Sequence, residues 1–126
     1  MLQEAGVADR CEMVGGNFFE QVPEGGDAYL LKTVLHDWDD AKARVILRAC
    51  RQSIGPEGRL LVLERLVALP NEDPEVKFFD LMMMTMMGGR QRTRAEFATL
   101  FAEAGFHLDA VTSTGTPLCV IEGWPV

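Results

Sequence analysis

The stretch from Asp27 to Glu64 constrains the fold more than any other part of the chain. Ala28-Tyr-Leu-Leu-Lys-Thr-Val-Leu35 is a nearly continuous apolar run, the composition of a strand covered on both faces, as in a parallel sheet. Leu60-Leu-Val-Leu63 is a second such run, with Glu64 at its end. Between them, Asp39 or Asp40 offers an N-cap for a helix reaching about Ile54. Its acids come first and Arg44, Arg48 and Arg51 later, the order that the helix dipole favours. Val45, Ile46, Ala49 and Ile54 can share its inward stripe, and Gly55-Pro-Glu-Gly58 stops it.

The flanks extend this pattern. Residues 2–10 read as the last turns of a helix, Cys11–Val14 as a short strand broken by Gly15-Gly16, and 21–26 as a loop. Beyond Glu64, Pro70–Pro74 is a loop and Val76–Met87 a largely apolar helix closed by Gly88-Gly89. Thr93-Arg-Ala-Glu96 is a capping box. Phe97, Leu100, Phe101 and Ala104 follow at helical spacing, and Gly105 supplies the terminating residue. Leu108–Ser113 and Leu118–Ile121 read as strands, and the short link Thr114-Gly-Thr-Pro117 favours an antiparallel hairpin. Strands alternating with helices and ending in a hairpin define an α/β domain.

Composition narrows the partners. The 126 residues suit a single domain, and 48% hydrophobic residues suit a packed core rather than disorder. A formal charge of −7 argues against nucleic acid and anionic membrane surfaces. No stretch approaches the roughly 20 apolar residues of a membrane span, and the N-terminus lacks a secretory pattern. Cys11, Cys50 and Cys119 are too widely spaced to form a metal-ligand set with His36 or His107, so no metal is expected. They read as reduced thiols of a cytoplasmic protein, two of them in the core.

His36 is the position where chemistry is expected. The ends of strands are where open α/β sheets place their sites. Imidazole, with a pKa of about 6.5, exchanges protons near neutrality. Taken alone, a histidine here reads as a capping or core-edge residue. The wider pattern decides: Gly15-Gly-Asn-Phe-Phe19, Asp27-Ala-Tyr-Leu-Leu-Lys32, His36-Asp-Trp-Asp-Asp40, Leu61-Val-Leu-Glu64, Gly88-Gly-Arg-Gln-Arg-Thr93, and Phe97 through Ala104-Gly-Phe106. In this order they resemble the small-molecule O-methyltransferases of plants and bacteria, from about Asp9 to Pro125.

That resemblance implies a partial Rossmann-like class I methyltransferase sheet, its later strands and terminal hairpin present and its first strands missing. It implies S-adenosylmethionine as cofactor and a small aromatic or polyketide-like hydroxyl acceptor. His36 matches the general base, Glu64 the acid that flanks it, and Gln91 a place where the family commonly has a second acid. Asn17 and Phe18 match the adenine-contacting pair, and Lys32 a cation near the cofactor. The helix carrying Met82 and Met86 matches one that lines the acceptor site; Trp38 reads as structural. The glycine-rich cofactor loop and the ribose-binding acid have no counterpart in this sequence, nor does the helical region through which full-length members form homodimers. Residues 1–126 therefore resemble the C-terminal part of the catalytic domain, a fragment expected to bind the cofactor weakly on its own and to leave Ala28–Leu35 as a bare apolar edge. The competing readings are an inactive remnant and a small α/β binding module with a structural His36.

Overall fold

A computed structural model describes residues 4–67, 75, 78, 81, 82 and 90–126. A 3-10 turn spans Ala8–Arg10, followed by β1 (Ala28–Lys32), a second 3-10 turn (Leu35–Asp37), α1 (Asp40–Ser53), β2 (Arg59–Glu64), α2 (Arg94–Ala104), β3 (Phe106–Ser113) and β4 (Cys119–Pro125). Glu75, Phe78, Leu81 and Met82 are helical; the remaining positions of the helix expected over Val76–Met87 lie outside the described residues, Met86 among them.

The strands form one sheet in the order β1-β2-β4-β3. β1 and β2 are parallel, pairing Ala28 with Arg59 through Lys32 with Leu63. α1 makes the crossover that such a pair requires. β3 and β4 are the expected antiparallel hairpin, and β4 inserts between β2 and β3, pairing Leu60 with Gly123 through Glu64 with Cys119.

Local chemistry explains the helix ends. The Asp39 side chain accepts from the Lys42 N–H at 2.8 Å and caps α1. Thr93 and Glu96 satisfy each other's free backbone N–H groups at 3.1 Å, the expected capping box. Gly105 ends α2 at φ +92°, a left-handed conformation that glycine adopts without Cβ strain.

The core joins both helices to one face of the sheet. Ala43, Ile46, Leu47 and Cys50 of α1 meet Leu60 and Val62 of β2, Phe97 and Phe101 of α2, and Ile121 of β4. Val45 is 42% exposed and stands outside the stripe expected for α1; Ala43 and Leu47 take its place at the same helical spacing. Cys50 is fully buried, and burial pushes its thiol up to about 11. Cys119 is only half-buried and Cys11 is exposed, so the core holds one buried thiol rather than two.

Two expectations about strands are corrected. Cys11–Val14 is not a strand, because no described strand pairs with it. β1 is not covered on both faces: Tyr29 and Leu31 are half-buried while Ala28, Leu30 and Lys32 are exposed, Leu30 at 60%. β1 does form the sheet edge, as expected.

Candidate active site

The site lies where β1 and β2 end. Along β2 the inward positions are Leu60, Val62 and Glu64, all buried. Alternation thus puts a carboxylate where the pattern calls for another apolar side chain. Glu64 is 1% exposed, which excludes a solvated strand-end acid. A buried carboxylate needs donors, and His36 supplies them. The His36 backbone N–H donates to Glu64 Oε1 at 3.2 Å, and its Nδ1 lies 2.9 Å from Oε2.

Thr33 and the following turn aim the histidine. Thr33 has φ +53°, a conformation that a β-branched residue adopts at a cost of about 1–3 kcal/mol. Its N–H donates to the Leu63 carbonyl at 2.9 Å, so β1 stays fastened to β2 while the chain bends away from strand geometry. The 3-10 turn Leu35–Asp37 follows, with Leu35 fully buried as its anchor.

His36 is flanked by a second carboxylate. Its Nε2 lies 3.0 Å from Asp37 Oδ1. The Glu64 hydrogen bond raises the His36 pKa above 6.5, helped by the charges of Glu64 and Asp37 and opposed by burial. A histidine whose pKa is raised by folding stabilises the fold fully below its unfolded value, and that contribution disappears as pH rises through the folded value. The chain should therefore resist denaturant better near pH 6 than near pH 8, by a margin that shrinks in His36→Gln, about an unfolded reference of 6.5. Chemical denaturation at the two pH values checks this; an equal margin in the variant assigns the pH dependence elsewhere.

A cavity of about 370 Å³ opens on His36, lined by Thr33, Arg65 and the hairpin tip Thr116–Leu118. That volume is within the range of small-ligand pockets. A second cleft of about 300 Å³ runs along Val14–Gly16, Phe18 and Gln21–Pro23. Phe18, 38% exposed, offers a flat apolar face there. It stacks on Phe19 at 4.8 Å, and Phe19 meets Trp38 edge-on at 4.8 Å. This aromatic chain ties the Asn17 turn to the segment just after His36, which gives Trp38 a structural task. The Asn17 side-chain oxygen accepts from the Phe19 N–H at 3.0 Å, and its carbonyl accepts from Glu20 and Gln21.

The structure thus brings His36 and Glu64 into direct contact, and Trp38, two residues beyond His36, holds Phe18 and Phe19 beside that segment. Lys32 is exposed at the end of β1, next to Thr33. Gln91 is 2% exposed, between Arg90 and Arg92 in a segment bridged to Leu66. Met82 is half-buried on its helix, and Met86 lies outside the described residues. Three participants were missed in the sequence: Asp37, Arg65 and the hairpin tip. Asp37 adjoins His36 in the chain, but only the tightness of the turn brings its carboxylate back to Nε2. No group of three or more His, Cys, Asp or Glu among the described residues can hold a metal ion. No described helix is long and apolar enough to cross a membrane.

Comparison with known proteins points the same way. The family model described as the O-methyltransferase domain matches residues 1–107. The phenazine O-methyltransferase PhzM of Lysobacter antibioticus is 47% identical over 126 residues, covering 99% of this chain and 37% of that protein. The crystal structure of LaPhzM superposes with a TM-score of 0.94 at 45% identity, over 99% of this chain and 38% of its own. NcsB1 from neocarzinostatin biosynthesis, solved with S-adenosylmethionine and 2-hydroxy-5-methyl naphthoic acid, gives 0.88 at 34% identity, over 99% and 36%. The chain therefore spans somewhat more than a third of the length of the relatives it matches.

Proposed function

This chain belongs to the O-methyltransferase domain family, and we propose that residues 1–126 are the C-terminal part of a catalytic domain that methylates a hydroxyl of a small aromatic compound. The observation that carries this reading is the His36–Glu64 pair beside an open cavity of ligand size. S-adenosylmethionine, when bound, supplies an activated methyl group on a sulfonium. The exposed face of Phe18 along its cleft fits a flat adenine, with Asn17 beside it in the chain, and Lys32, exposed at the end of β1, is the cation we assign to the cofactor.

The chain's own residues handle the proton. A phenol, with a pKa near 10, is a poor nucleophile until its proton leaves. Glu64 accepts the Nδ1 proton of His36, which fixes the tautomer with its lone pair on Nε2. In the neutral ring this lone pair repels the Asp37 carboxylate, so an acceptor hydroxyl in the cavity takes over the place at Nε2. As the new carbon–oxygen bond forms, the hydroxyl proton passes to Nε2. Glu64 and Asp37 then stabilise the imidazolium, as carboxylates do in other histidine-based sites. Buried Gln91 matches the family's second acid and brings no charge, so Glu64 and Asp37 carry that stabilisation.

A chimera tests the proposal. This chain replaces the matching segment of the Lysobacter phenazine O-methyltransferase, and methylation of a panel of aromatic hydroxy acids is followed by mass spectrometry. Methylated product is expected. A folded chimera that binds S-adenosylmethionine by calorimetry but methylates nothing in the panel overturns the reading.

A further inference from the structure

We propose that Arg92 is a positioning residue that sets the separation of His36 and Glu64 by holding both from one point. Its backbone belongs to the Glu64 side. Leu66 and Arg92 form a parallel bridge, and the Val67 N–H donates to the Arg92 carbonyl at 2.9 Å, just beyond the end of β2. Its side chain belongs to the His36 side. One terminal nitrogen donates to the Leu35 carbonyl at 3.0 Å and the other to the Trp38 carbonyl at 2.9 Å. These two carbonyls bracket the turn that carries His36. Nε donates to Asp40 at 2.8 Å at the start of α1, and a longer bond of 3.4 Å reaches the Arg90 carbonyl.

Arg92 is 1% exposed, so its charge is taken almost wholly out of water. A planar fork of donors can span separate carbonyls from a fixed plane; an ammonium on a flexible stem cannot. The chemistry of the bridge therefore calls for arginine rather than for any cation. Other charges also act on His36 and must be separated from the bridge. Glu64 faces it from β2 and Asp37 from its own turn, Arg65 shares its cavity, and Asp40 anchors the guanidinium. The catalytic meaning of the bridge rests on the function proposed for His36, whereas the bridge itself does not.

The test reads geometry through protonation, without turnover. The chain is labelled with 15N-histidine and titrated by NMR, with His107 on β3 as internal reference. Arg92→Lys keeps the charge and loses the fork. If the bridge holds the pair together, the His36 midpoint falls by at least about half a unit, a fraction of the 1–3 units that a close opposite charge commonly contributes. His107 should not move. Simple loss of a nearby cation acts with the opposite sign and raises the His36 midpoint, so Arg92→Met gives a smaller fall than Arg92→Lys. A native Arg92→Lys spectrum with an unmoved or raised His36 midpoint overturns the proposal. Should Arg92→Lys not fold, the unaltered chain labelled with 15N-arginine as well decides: the Arg92 guanidinium signals should shift with the His36 midpoint, and signals flat through it overturn the proposal. Failure of the function itself shows separately, as methyl transfer that survives loss of His36.

Discussion

In the chimeric enzyme, His36→Ala is expected to lower turnover by about 10²–10⁴, the range that a positioned general base commonly contributes. The loss should fall on kcat, since the cavity around His36 is also walled by Thr33, Arg65 and the hairpin tip, which remain. The pH profile gives a second check. Both carboxylates at the ring raise the His36 pKa, so the neutral base accumulates only above the ordinary 6.5 and activity should climb with pH through that raised value. Glu64→Gln removes the largest cause of the shift, so the acidic limb should move to lower pH as kcat falls. Turnover of His36→Ala above a third of the parent removes this residue from the mechanism. An unmoved limb in Glu64→Gln means that the limb reports another group.

Phe101→Ala is expected to cost about 3–5 kcal/mol, the usual loss on truncating a buried aromatic. A domain has a net stability of only about 5–15 kcal/mol, so most of the chain's margin is at stake. Phe101 is fully buried, with Phe97 at 6.4 Å and Phe106 at 6.2 Å between ring centroids. Its other neighbour is a glycine for a geometric reason: a Cβ on Gly123 would stand 2.8 Å from the Phe101 ring. The ring thus packs directly on β4 at Gly123, where the absence of a side chain leaves nothing to refill its space. β4 begins at Cys119, opposite Glu64, so loosening this contact also loosens the wall of the His36 cavity. Urea denaturation measures the effect; a loss below about 1 kcal/mol would show that the neighbouring aromatics close the gap.

What could be read from the sequence was local. Asp39 caps α1, Thr93 and Glu96 box α2, and Gly105 ends it, because each device needs only residues within a turn of one another. The link Thr114–Pro117 is short enough to force a hairpin. The place of Glu64 at the end of β2 was legible for the same reason, whereas β1, expected to run to Leu35, stops at Lys32 and His36 stands in the turn beyond it. The errors were non-local. Cys11–Val14 has strand-like composition, but a strand needs a partner. Ala28–Leu35 looks doubly covered, but cover is supplied by distant segments, and only the inner side of β1 meets any here. The stacking of Arg59 on Trp124, with the guanidinium 2.9 Å from the ring centroid, joins neighbouring strands and has no local signature either. Nothing near Arg92 in the chain marks it for burial. Its burial follows from carbonyls that sequence does not display.

The spacing of these contacts along the chain fixes when the site can exist during folding. The hydrogen bond from His36 to Glu64 spans 28 residues, and the one from Arg92 to Leu35 spans 57. Closing such loops is opposed by chain entropy that the capped helices and the hairpin hardly meet. The helix ends and the β3–β4 turn can therefore form early, while the proton-handling pair waits for β1, α1, β2 and the Arg92 segment to dock together. A nascent chain therefore brings His36 and Glu64 together only after the segments that carry them have docked.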